Sequence, residues 1–124
     1  MKFPGRRLST VGIIVSAMAL SATVTATSAS AATIHGCPSG DVCIYPGAGW
    51  NNDQPSNEYY NYGCYKLYNQ YGTHRVLNNQ TGYAPTDGYM SSNCTSGFEY
   101  YIESGGAWAD VNLTPVNSID LVDN

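Results

Sequence analysis

Four cysteines, two histidines and nine acidic residues carry most of the reactive chemistry available to this chain of 124 residues. Cys37 and Cys43 flank Pro-Ser-Gly-Asp-Val, a spacing that fits no common zinc pattern. His35 and His74 stand isolated, so no metal site is expected. In an exported protein four cysteines read instead as two disulfides, for which three pairings exist. We favour Cys37–Cys43, across the Pro-Ser-Gly-Asp turn, and Cys64–Cys94, which ties two halves of the chain together. Closing those loops is worth about 2 and about 4 kcal/mol on the chain-entropy model.

Hydrolytic chemistry lacks its parts. His74 adjoins Arg75 with no serine elbow or free thiolate to activate, and it reads as a surface histidine. Glu99 and Glu103 share one face of a predicted strand but would lie roughly 13 Å apart, at about 3.3 Å per residue. That is too far for a working carboxylate pair. No enzyme is expected. Binding chemistry is better supplied. Eleven tyrosines occur, and Tyr59, Tyr60 and Tyr62 with Trp50 could form a platform on which sugar rings stack. The competing reading puts half of them in a core, since Tyr suits strands and can keep its hydroxyl at the rim. Three matches to the glycosylation acceptor pattern, at Asn79, Asn93 and Asn112, are of the kind chance supplies in so Asn- and Thr-rich a chain.

The elements that must position these groups begin behind a targeting segment. Lys2, Arg6 and Arg7 form a positive start, Val11 to Leu20 an apolar stretch, and Ala29-Ser30-Ala31 a small-x-small cleavage site. The apolar stretch is about half of the roughly 20 residues that span a bilayer. We therefore expect residues 1–32 to be a signal peptide and 33–124 to be one secreted, extracellular domain with no membrane association after cleavage. Only Lys66 and Arg75 then face the nine acids, a net charge of −7. Such a surface repels phosphate backbones, so nucleic-acid binding is excluded.

Helix formers are scarce, and short β-type segments alternate with turn clusters, the pattern of a small all-β sandwich. Strands are predicted at Val42–Tyr45, Tyr59–Tyr62, Tyr65–Tyr68, Arg75–Leu77, Phe98–Glu103, Trp108–Leu113 and Ser118–Val122. Turns are predicted at 46–49, 51–53 and 78–82, and at Asp87-Gly88. In Phe98–Glu103 the alternation puts Phe98, Tyr100 and Ile102 on one face. A faint repeat runs at an offset of 43 residues, aligning Tyr59 with Ile102, Gly63 with Gly106, Tyr65 with Trp108, Tyr68 with Val111, Asn69 with Asn112 and Val76 with Ile119. Two copies of a four-strand Greek key, packed face to face, account for it.

The opening Cys37-Pro-Ser-Gly-Asp-Val-Cys43-Ile-Tyr45, followed by Trp50, resembles the start of secreted bacterial βγ-crystallin-like proteins, in particular the peptidase inhibitor I36 group of Streptomyces metalloproteinase inhibitor-like proteins. Val76-Leu77-Asn78-Asn79 and Asn117-Ser118-Ile119 resemble the ends of the two keys, at about 37–80 and 81–124. The resemblance implies a disulfide-stabilised, monomeric βγ-crystallin-like sandwich and inhibition of an extracellular metalloprotease. The family's calcium-binding signature is eroded at Gln70–Arg75 and Leu113–Ser118, which lack paired oxygen donors, so no calcium or other cofactor is expected. Inhibition requires an exposed, preorganised loop. The stretch Met90-Ser91-Ser92-Asn93-Cys94-Thr95, braced at Cys94, is the candidate, against an ordinary linker between the keys. The rival functions are a cell-wall or glycan-binding module and a toxin-like secreted effector.

Overall fold

The computed structural model describes residues 32–123. The signal peptide expected over 1–32 lies outside the described residues, except for Ala32. Eight strands and no helix occur among the described residues: β1 (Val42–Ile44), β2 (Asn57–Tyr59), β3 (Gly63–Lys66), β4 (Thr73–Asn78), β5 (Thr86–Tyr89), β6 (Phe98–Ile102), β7 (Ala107–Asn112) and β8 (Ser118–Leu121). They form two antiparallel four-stranded sheets, ordered β2-β1-β4-β7 and β3-β8-β5-β6. The disulfides are Cys37–Cys43 and Cys64–Cys94.

Period-two alternation sends one side of each sheet into a shared core. Val42 and Ile44 of β1, Val76 of β4, Tyr100 and Ile102 of β6, and Ile119 and Leu121 of β8 are buried together there. Leu67, Leu113 and Val116, from the connections, close the ends of that core. The opposite side of the first sheet is also covered. Cys43 and Leu77 point outward from β1 and β4 and meet Cys37 and Tyr45, with Ile34 and Trp50 against them. The segment before β1 thus lies over the sheet as a second small core, and the Cys37–Cys43 bond holds it there.

The two halves repeat, with a register that alternates. Val42 pairs with Asn78 and Thr86 with Leu121; Gly63 pairs with Leu121 and Ala107 with Asn78. The offset is therefore 44 residues from β1 to β5 and from β3 to β7, and 43 from β4 to β8. Tyr59, opposite Val42, and Ile102, opposite Thr86, keep 43 for β2 to β6. A constant 43 slips β3 against β7 by one residue. Ala109, not Trp108, is the counterpart of Tyr65, and a one-residue slip turns a side chain to the other face. Tyr65 and Ala109 both pack on the shared core, whereas Trp108 faces outward.

Three local expectations are corrected. Asp87-Gly88 is no turn but the middle of β5, a central strand between β8 and β6. Gly88 is needed there because the Tyr100 ring occupies the space where a Cβ would sit. Phe98 does not share the buried face of Tyr100 and Ile102, because Tyr89 pairs with Phe98 and Gly88 with Tyr100, leaving Glu99 as an extra bulged residue. Phe98 is accordingly exposed. The predicted Tyr59–Tyr62 and Tyr65–Tyr68 strands are shifted toward the N-terminus, so Tyr60, Tyr62 and Tyr68 lie in connections.

Candidate functional site

The β5–β6 connection is a closed, heavily bonded loop. Met90 N–H donates to Gly97 O (2.7 Å) and Ser91 N–H to Ser96 O (3.2 Å), which continues the ladder beyond the strands. Ser91 Oγ then accepts from the N–H groups of Thr95 and Ser96, both at 3.1 Å. Asn117, just before β8, and Ser118, its first residue, hold the loop. Asn117 Nδ2 donates to Met90 O (2.7 Å), while the buried Ser118 hydroxyl donates to Ser91 O (2.6 Å) and accepts from Cys94 N–H (3.0 Å). Cys94 adopts a left-handed backbone, φ 58°, and is bonded to Cys64 on β3. Met90, Ser92, Asn93 and Thr95 are exposed at the rim and Ser91 is half-buried. Met90 shields the Gly97 backbone, where a Cβ would come within 2.6 Å of its own Cβ.

The proposed aromatic platform is divided among three places. Trp50 stacks on His35 (ring centroids 3.7 Å apart, 7° between planes) and meets Trp108 edge-on at 5.3 Å. Arg75 lies over both indoles, 4.5 Å from the Trp50 ring and 4.0 Å from the Trp108 ring, and its guanidinium binds both Asp110 oxygens at 2.8 and 3.0 Å. His35 in turn contacts Asp53 at 2.8 Å. Tyr45 donates its hydroxyl to His35 O, and burial, assisted by Asp53 and Glu58, pushes that hydroxyl up to about 12. Stacking and the Arg75–Asp110 pair hold this layer together on the outer face of the first sheet, with Trp108 about half exposed. Tyr59 leans on Tyr65 against the shared core (4.8 Å). Tyr60 and Tyr62 remain open and flank a cleft of about 160 Å³ with Gly40, Asn61, Gln80 and Thr81.

No protein-family model, curated protein or solved structure matches this chain.

The remaining titratable groups are placed as follows. His74 is not a surface residue: it is buried, with Nδ1 2.6 Å from Tyr45 O and Nε2 3.0 Å from Tyr71 O. Its alternation with Arg75 along β4 turns it inward and fixes it between two carbonyl groups. At the eroded calcium positions, Gly72 N–H donates to the Thr114 hydroxyl (2.8 Å) and Leu113 N–H to Gly72 O (2.9 Å), so these loops are tied to each other. Among the described residues no three His, Cys, Asp or Glu side chains gather at metal-binding distance. Glu99 and Glu103 are exposed on the bulge and beyond the end of β6.

One carboxylate pair escaped the sequence. Asp87 and Asp120 are direct cross-strand partners on the outer face of the second sheet. Burial raises the Asp87 carboxyl above its ordinary value, the Tyr89 hydroxyl bond at 3.3 Å opposes this, and Asp120 adds to it. Reading Asp87-Gly88 as a turn hid the pair; only strand register brings the two together.

Proposed function

We propose that this chain is a secreted, monomeric, non-catalytic protein of the βγ-crystallin-like superfamily, related to the I36 inhibitors, that blocks an extracellular metalloprotease with its 90–97 loop. The Greek-key reading is supported by the strand order. Within each half the first strand lies between the second and the fourth, and the third crosses to the other sheet. Secretion is supported by the two disulfides, which persist in oxidising compartments.

The observation that carries the inhibitory reading is the bracing of the loop. Ser118, Asn117 and the Cys64–Cys94 bond hold its backbone, while Met90, Ser92, Asn93 and Thr95 face solvent. A loop ordered before binding loses little conformational freedom in the complex, and each immobilised side chain otherwise costs about 0.5–1.5 kcal/mol. Met90 supplies an apolar side chain for a protease pocket, and the hydroxyl and amide groups beside it supply hydrogen bonds.

The test is titration of the protein from residue 33 onward against a thermolysin-like enzyme. Stoichiometric inhibition is expected, weakened at least about tenfold by Met90→Ala, or roughly 1.4 kcal/mol. Full protease activity at micromolar excess of the protein would overturn the proposal.

A further inference from the structure

We propose that the cleft between Tyr60 and Tyr62 is a binding site for one ring of a neutral saccharide. It shares no residue with the 90–97 loop and does not depend on the protease reading.

Tyr60 is two-thirds exposed, yet its ring is not free to wander. It rests against Gly40, where an added Cβ would stand 2.8 Å from Tyr60 Cε1 and 3.3 Å from Cδ1. Gly40 is itself fixed: it has φ +96°, lies inside the Cys37–Cys43 loop, and donates its N–H to Asn79 O at 2.8 Å. The Tyr60 ring therefore meets rigid backbone at its Cε1–Cδ1 edge. Held at that edge and otherwise exposed, the ring can receive the apolar C–H face of a ligand. Tyr62, half exposed, provides the other wall.

The polar lining complements this. Asn61 and Thr81, both exposed, bring an amide and a hydroxyl group to the cleft, and no charged side chain lines it. Gln80 is 98% buried, and its Nε2 donates to Ala84 O (3.1 Å) and Pro85 O (3.2 Å), so it shapes the wall of the cleft and its amide is turned inward. Uncharged hydroxyl groups suit such a lining, whereas an anion meets no cation there and is repelled by the acidic surface. The volume, about 160 Å³, equals about five water molecules at roughly 30 Å³ each. It is below the roughly 300–1,000 Å³ of drug-sized pockets. Two exposed aromatic residues, the Asn61 amide, the Thr81 hydroxyl, the absence of charge and a single-ring volume together point to a neutral sugar.

The test is an NMR titration of the isotopically labelled protein from residue 33 onward with cellotetraose and, separately, with chitotetraose. Saturable shifts of the Gly40, Asn61 and Thr81 amides with at least one of them are expected, at a dissociation constant of about 1 mM or tighter. Tyr60→Ala, at an exposed position, is expected to weaken binding about tenfold with an otherwise unchanged amide spectrum, and Tyr60→Phe to preserve it. Tyr83→Ala, outside the cleft, is expected to leave it unchanged. Absence of shifts with both sugars at about 10 mM, far above the expected constant, overturns the proposal. So does undiminished binding by Tyr60→Ala.

Discussion

Arg75 and Asp110 face each other across β4 and β7, joined by two hydrogen bonds of 2.8 and 3.0 Å, with the guanidinium lying over the Trp50 and Trp108 rings. Both functions of this arginine depend on its planar fork, which binds a carboxylate at two points while stacking on indole. Lysine offers only a point charge. Arg75→Lys is expected to lower the melting temperature by a few degrees and to weaken the near-UV circular dichroism of the two tryptophans. The pair also sets an acid limit. The Arg75 hydrogen bonds hold the Asp110 carboxyl below its ordinary value of 3.8, so its contribution is present above that value and is lost as pH falls through the lowered one. Asp110→Asn should remove this part of the acid unfolding curve.

Asp87 acts with the opposite sign. Its carboxyl is raised above 3.8, chiefly by burial and further by Asp120, so the folded protein holds that proton more tightly than the unfolded chain. Its contribution to stability therefore falls as pH rises from 3.8 through the raised value. Asp87→Asn keeps an oxygen for the Tyr89 hydroxyl and removes the like-charge contact. Thermal melts from pH 3 to 8 are expected to show the variant at least as stable as the parent at neutral pH and to lose the advantage in acid.

Gly88 tests the packing of β5. Its backbone is not left-handed, so any penalty for a side chain comes from space alone. An alanine methyl would overlap the Tyr100 ring, which is enclosed by the core and cannot swing away. Overpacking of this kind costs about 1–3 kcal/mol, which in a domain of this size lowers the melting temperature by roughly 10 °C. Gly47→Ala, where a Cβ would meet open space, is the matched control.

The two disulfides should open in a fixed order under mild reductant. Cys37 and Cys43 are both fully buried in the second core, whereas Cys64 is exposed on β3. Thiolate attack needs access to sulfur. Alkylation followed by mass spectrometry is expected to find Cys64 and Cys94 modified first, with the fold retained and the 90–97 loop newly sensitive to proteolysis.

Much of this architecture is legible in the chain. The all-β character and the rough places of seven of the eight strands follow from turn residues and β-prone runs, and of three possible cysteine pairings the favoured one is the one observed. The parts that failed share one cause: they depend on partners distant in sequence. Asp-Gly reads as a turn by its local preference, and only the Tyr100 ring above Gly88 explains why it is strand. Phe98 and Trp108 face where a bulge and a register of 44 residues put them, and neither leaves a local mark. His74 looks solvent-exposed beside Arg75, until β4 alternation turns it inward to two carbonyl groups. The exposed tyrosines are the least legible, because which ring touches a glycine at its edge is decided by the fold alone.

The exchange of β3 and β7 between the sheets has a consequence for survival among proteases. Each half lends its third strand to the other, so neither can unravel without stripping an edge from its neighbour. Opening of one half's strands, an invitation to cleavage, is thereby coupled to loss of an edge strand from the other sheet. Any loop carried on such a frame is held by both halves of the fold at once.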